Sequence, residues 1–273
     1  MAGSETQQSI AQTIELDAYG PAQIAERVER AGVAKARLPL LQTLSLGALA
    51  GAFIAFGAMY FTVVTTDPGI GFGPTRLLGG LAFSLGLVMV VIAGAELFTG
   101  NSLMVMAWVD GRISGRELAR NWTLVYLANF AGAVGAAVLL VLADGLALGG
   151  GKVLANATAI AQAKVAIGPV AGFFRGILCN ALVCMAIWLA LGAREVTGKI
   201  LAIVFPISAF VALGFEHSIA NIYFIVLGIL LGIPGVDFGG LVANLVPVTL
   251  GNIVGGGAFV ALTYWVCYRA PSG

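Results

Sequence analysis

"GAELFTGN" at residues 94–101 and "GFEHSIAN" at residues 214–221 each set a glutamate between glycine and polar residues in the middle of an apolar run. A helix facing lipid has no use for such residues, because a carboxylate in hydrocarbon is expensive and glycine weakens a helix. The two stretches align as Gly94, Glu96 and Asn101 against Gly214, Glu216 and Asn221, an offset of 120 residues. A second pair supports the match: "LANFAG" at 127–132 aligns with "LGNIVG" at 250–255, an offset of 123. The near-equal offsets predict an internal duplication.

The surrounding chain is that of an integral membrane protein. Of its 273 residues 59% are hydrophobic and 10% charged, with a mean hydropathy of +0.98, too little polar surface for a water-soluble globule of this size. At about 20 apolar residues per crossing, the expected spans are residues 40–65, 77–109, 122–143, 168–192, 199–231 and 240–267. The second and fifth are too long for one crossing, and each contains one of the two polar stretches. The fold class expected is therefore an all-α membrane protein of six transmembrane helices, the second and fifth of them broken.

Three spans per repeat is an odd number, so the second copy enters the membrane upside down. Broken helices at matching places in such inverted repeats build transport sites near the midplane, and irregular backbone at that depth must line a cavity or be buried in protein. The segments expected inside the cell carry Arg27, Arg30, Lys35, Arg37, Arg112, Arg116, Arg120, Arg194, Lys199 and Arg269, ten of the fourteen basic residues. That bias places both termini in the cytoplasm. The first 37 residues mix Glu5, Glu15, Asp17, Glu26 and Glu29 with basic residues, unlike a secretory signal.

The expected organisation is a cytoplasmic N-terminal segment at 1–38 with an amphipathic helix from Pro21, a six-span domain at 39–268 and a short cytoplasmic tail at 269–273. The domain divides into repeats at about 39–144 and 165–268. Cys179, Cys184 and Cys267 lack metal-ligand spacing and read as small buried side chains. With a net charge of +1 no nucleic-acid partner is expected, and the sequence suggests no cofactor and no metal.

"GAELFTGN", "GFEHSIAN" and "LVPVTLGNIVGG" at 245–256 resemble signature segments of the formate/nitrite transporter family, and the resemblance runs from about residue 25 onward. It implies an aquaporin-like protomer in the cytoplasmic (inner) membrane and a homopentamer with one pore per protomer. It also implies transport of small monovalent anions, formate, nitrite or hydrosulfide, together with protons. "AELFTGN" and "MAWVDGRISGRELARNW" are closer to formate-type members.

His217 is the only histidine in the chain, and its place in the first repeat is taken by Leu97. Imidazole ionises near physiological pH, so it can hold or deliver a proton where an anion pauses. A bare carboxylate in a dry constriction is prohibitively costly, and protonation removes that cost. Thr99 resembles the family's pore threonine opposite the histidine, although a threonine can equally satisfy a broken-helix carbonyl. Asn180 is a candidate pore-lining donor.

By resemblance Phe83, Leu87, Leu97, Phe98, Val183 and Phe210 form the apolar constrictions, and Lys164 raises the local anion concentration. Glu96 and Glu216 are expected to turn from the pore and bond the exposed backbone N–H groups of the breaks, with Glu216 also tuning charge; Asn101, Asn221, Asn129 and Asn252 are read as further backbone partners. Two other classes compete. A passive aquaporin-like pore for neutral solutes is disfavoured by the absence of paired Asn-Pro-Ala motifs. An intramembrane enzyme using His217 and Glu216 lacks a nucleophile or metal cluster beside them.

Overall fold

The computed structural model describes residues 17–270; Glu5, Glu15 and the end of the tail at 271–273 lie outside them. Helix α1 (Pro21–Ala36) opens on Pro21, whose fixed φ and missing N–H suit a first helical turn. Its Ile24, Ala25 and Val28 are buried, and its fully buried Glu29 pairs with Arg269 at 2.9 Å. Helix α2 (Leu40–Val64) follows directly after Pro39. Helix α3 (Phe72–Met89) continues through a wide i→i+5 turn at Val90–Gly94. Helical structure resumes in a tight turn at Gly100–Met104 that leads into α4 (Val105–Val109).

The rest of the chain is organised alike. Helix α5 (Gly115–Leu142) starts with Ser114 and Glu117 capping each other's backbone. Helix α6 (Lys152–Val165) precedes α7 (Pro169–Gly192), again with proline in the first turn. Helix α8 (Val196–Ala212) stops, and α9 (Ser218–Leu230) begins after five intervening residues. Helix α10 (Phe238–Ile253) runs through a wide turn at Val254–Leu262 into α11 (Thr263–Tyr268). Among the described residues there is no strand.

Five helical runs are long and apolar enough to cross a membrane: Leu40–Val64, Phe72–Gly94, Gly115–Leu142, Pro169–Gly192 and Phe238–Tyr268. Neither the expected span at 77–109 nor that at 199–231 is one continuous helix. The first contains Phe72–Gly94 and then the shorter Gly100–Val109; the second consists of Val196–Ala212 and Ser218–Leu230, each below spanning length.

Both interruptions start at a glycine with positive φ, 84° at Gly94 and 74° at Gly214, a conformation that strains any residue with a Cβ. The backbone then turns on itself, with Ala95 N–H donating to Val90 O and Phe215 N–H to Phe210 O. Close helix crossings hold the frame. A Cβ on Gly132 of α5 would collide with Ala48 O of α2, and one on Gly255 would collide with Ile177 O of α7. Cys179 and Cys184 are buried as expected, but Cys267 is exposed, because it lies on the outward side of the final helix.

Candidate functional site

The two interruptions are built from closely similar hydrogen bonds, which differ in how the lysine is shared. At the first, Lys35 Nζ of α1 donates to Glu96 Oε1 at 2.6 Å and to Asn101 Oδ1 at 2.9 Å. Asn101 Nδ2 donates to Glu96 Oε2 at 2.8 Å and to Asn121 Oδ1 at 2.9 Å, and Asn121 Nδ2 returns to Lys35 O at 3.2 Å. At the second, Lys164 Nζ of α6 donates to both oxygens of Glu216 at 2.8 Å. Asn221 Nδ2 donates to Glu216 Oε2 at 2.7 Å and to Asn244 Oδ1 at 2.8 Å, and Asn244 Nδ2 returns to Lys164 O at 2.8 Å.

The backbone of each break is held by an asparagine from a different helix. Asn129 of α5 accepts from Phe98 N–H at 2.9 Å and donates to Gly47 O and Glu96 O. Asn252 of α10 accepts from Ser218 N–H at 2.9 Å and donates to Gly176 O and Glu216 O. This corrects the expectation for the glutamates: Glu96 and Glu216 bond lysine and asparagine side chains, while Asn129 and Asn252 take the backbone N–H groups. Asn101 and Asn221 likewise use their side-chain amides on the carboxylate and a second asparagine. A lysine ammonium forms a charge-assisted bond to carboxylate about twice as strong as a neutral one, so it wins the carboxylate.

His217 sits at the join between the second break and α9. Its Nδ1 accepts from Ala220 N–H at 3.2 Å, and its Nε2 lies 3.0 Å from Thr99 Oγ1 in the first break. With Nδ1 accepting, a neutral ring carries its hydrogen on Nε2 and donates it to Thr99. The threonine hydroxyl then keeps its own hydrogen for a third group. Both residues are buried, His217 at 3% and Thr99 at 0% exposure, so the pair is a polar point inside an apolar layer.

Two cavities approach that layer. One, of about 470 Å³, is lined by Lys35, Glu96, Leu97 and Asn101 together with apolar side chains of α1, α3 and α7. The other, of about 410 Å³, is lined by Arg76, Lys164, Arg175, Glu216 and His217, with Phe83 and Phe210 among its apolar walls. Leu97 and His217, equivalent positions in the two breaks, thus line different cavities. Phe83 and Phe210 pack edge to face with centroids 5.6 Å apart, and Phe210 lies 6.0 Å from the His217 ring. Leu87, Phe98 and Val183 are buried in the same apolar core and line neither cavity.

Asn180 is fully buried beside the pair. Its Nδ2 donates to Thr99 O at 3.1 Å, Ser102 Oγ at 3.2 Å and Asn252 O at 2.6 Å, which commits the expected donor to both breaks. Its Oδ1 has no partner among the described residues. Those residues also hold no cluster of three His, Cys, Asp or Glu able to bind a metal.

The family model described as "Formate/nitrite transporter" matches residues 22–266. The chain belongs to the formate/nitrite transporter family. It is 43% identical over 266 residues to a probable formate transporter of Methanothermobacter thermautotrophicus, covering 91% of this chain and 96% of that one. It is 39% identical over 267 residues to the formate channel FocA of Escherichia coli K12, covering 91% and 94%. Among solved structures, a pentameric formate channel with formate bound superposes with TM-score 0.77 at 38% identity, covering 85% of this chain and 98% of that one. An FNT family ion channel superposes with TM-score 0.82 at 31% identity, covering 90% and 98%.

Membership in this membrane-transporter family is in keeping with a buried polar pair approached through a cavity lined by charged groups. The sequence pattern missed Lys35, Asn121 and Asn244. Lys35 lies in the N-terminal segment, outside the six-span domain expected from the sequence, yet it neutralises Glu96 in the first break as Lys164 neutralises Glu216 in the second. A signal existed: Lys35 and Lys164 are 129 residues apart, close to the offsets that join the breaks.

Proposed function

We propose that this protein is a channel or proton-coupled transporter of small monovalent anions, formate foremost, with one pathway through each protomer of a homopentamer. It lies in the cytoplasmic membrane with both termini inside, as six crossings in two inverted repeats on an aquaporin-like plan. The observation that carries the reading is the Thr99–His217 pair at 3.0 Å, buried in an apolar layer, with His217 also lining a cavity rich in cationic groups.

The inverted repeat is supported by contacts that join a residue to its own counterpart, as occurs where a two-fold axis passes. Ser84 Oγ reaches Val204 O at 3.4 Å across a separation of 120 residues, and Tyr126 Oη meets Thr249 Oγ1 at 3.1 Å across 123. Pentamer and substrate are supported by the solved relative, a pentameric formate channel with formate bound.

An anion reaching the His217 cavity meets Arg76, Lys164 and Arg175 against one carboxylate. It cannot enter the apolar layer as a bare charge, since burying an unpaired carboxylate costs far more than its hydrogen bonds return. His217 offers it the Nε2 hydrogen, and the Thr99 hydroxyl offers a second donor. His217 takes up a proton from the aqueous cavity to become imidazolium, and passing that proton to formate leaves the ring neutral and makes the neutral acid, which crosses. Nitrite and hydrosulfide are also monovalent conjugate bases and would use the same route.

Purified protein in liposomes tests this. Formate uptake should exceed chloride uptake and rise as external pH falls, and His217→Asn should keep the fold but lose that pH dependence. Equal fluxes of glycerol and formate would remove the anion reading, and an unchanged pH profile in His217→Asn would remove the histidine from the proton step.

A further inference from the structure

Arg76 stands near the start of α3 and reaches across to the end of α8. Its Nε donates to Ala212 O at 3.0 Å and its Nη2 to Val211 O at 2.5 Å. Those carbonyls close the helix just before Gly214, and a Cβ on Gly214 would lie 3.2 Å from Arg76 Nη2. The α3 and α8 backbones are in near contact here, since a Cβ on Gly80 would come within 2.5 Å of Ser208 O. The guanidinium therefore acts from a fixed base.

The last carbonyls of a helix lack intrahelical partners and carry the negative end of its dipole. Here Val211 O also accepts from Gly214 N–H, Ala212 O accepts from Arg76, and the helix ends beside the cavity through which an anion approaches His217. A fork of N–H donors fits two adjacent carbonyls in a way that a lysine point charge does not. The first break has no such feature. The position 120 residues beyond Arg76 is Val196, and no side chain among the described residues donates to the carbonyls of residues 91–94.

We propose that Arg76 is a positioning residue for the half of the pathway that carries His217: it fixes the carbonyl end of α8 and keeps those carbonyls from repelling the arriving anion. The inference rests on the anion-transport reading, and it makes the two halves unequal. Arg76 should matter to an anion entering from one face of the membrane and not from the other.

Two measurements test it, on full-length protein. The first compares formate entry in right-side-out and inside-out membrane vesicles. Arg76→Ala should raise the half-saturating concentration roughly three- to tenfold at one face, as expected for the loss of one charge at short range behind partial water, and leave the other face within about twofold. Arg76→Lys should restore that constant, since it keeps the charge. The second measurement is amide exchange at Gly214 and Phe215, which needs no substrate. Both amides should exchange at least about fivefold faster in Arg76→Ala, and also in Arg76→Lys, which lacks the fork. A general loosening would reduce maximal flux at both faces without moving either constant, and that result overturns the proposal, as does unchanged exchange at residues 214–215. Wild-type vesicles without saturable formate entry would overturn the transport reading instead, while the exchange data still decide the fork.

Discussion

The breaks at residues 94–101 and 214–221 share a lysine, a glutamate and three asparagines in closely similar bonding, and they differ at the residue after the glutamate. Leu97 at one and His217 at the other mean that a common frame presents an apolar side chain to one cavity and an imidazole to its counterpart. The shared part solves a structural problem, that of holding non-helical backbone and a carboxylate away from bulk water. The unshared part is free of that duty, because Leu97 shows that the frame closes without a histidine. A chemical role is therefore best sought among the positions where the halves disagree, which include His217 against Leu97 and Thr99 against Ile219.

The lysines offer the strongest way to break this comparison. Lys35 and Lys164 each neutralise a glutamate whose side chain is 7% and 3% exposed respectively, and removing one partner of a buried ion pair costs about 3–5 kcal/mol because the other charge is left behind. Lys35→Met and Lys164→Met should therefore both lower the thermal midpoint markedly, and Lys35→Met combined with Glu96→Gln should recover much of the loss. If Lys35→Met melted like the wild type while Lys164→Met did not, the first lysine would be an incidental contact and the frames would not be equivalent.

Much of this was legible in the sequence, and the reasons for the gaps are physical. The breaks were visible because glycine and glutamate in an apolar run stand out against a background that is only 10% charged. The carboxylate partners were not, because Lys35 and Lys164 belong to separate helices, α1 and α6, whose distance along the chain from each break is set by loops. Leu87, Phe98 and Val183, expected as constrictions, share their composition with the whole apolar core, so burial alone does not distinguish a constriction from packing. The orphaned Asn180 Oδ1 and the Arg76 fork depend on side-chain direction, which no spacing rule encodes.

The asparagines give a smaller and sharper test. Asn129 and Asn252 each satisfy one backbone N–H and two carbonyls in a break, and both are fully buried. A buried donor left without its acceptor costs about 1–3 kcal/mol, so Asn129→Ala and Asn252→Ala should destabilise the protein by similar amounts within that range. Because Asn252 Oδ1 accepts from the N–H of Ser218, the residue after His217, and its Nδ2 donates to Glu216 O, the residue before it, Asn252→Ala should in addition reduce formate flux. Equal flux losses in the two variants would mean that transport depends on the frame as a whole rather than on the half that holds His217.

The smallest effect is expected where both partners stay in water. Asp67, in the loop between α2 and α3, pairs with Lys152 at the start of α6, and the two side chains are 62% and 63% exposed. The hydrogen bond from Lys152 and its charge lower the Asp67 carboxyl below its ordinary value of 3.8. A lowered carboxyl adds stability above the unfolded-state pKa and loses it as pH falls through the folded one, so any contribution belongs to neutral pH and vanishes in acid. Solvent and salt screen such a pair almost completely, and Asp67→Asn should shift the thermal midpoint at pH 7 by less than about 1 °C. A loss comparable with that of the lysine variants would place the stability of this chain in its exposed connections, whereas the breaks are secured through carboxylates that are almost wholly buried.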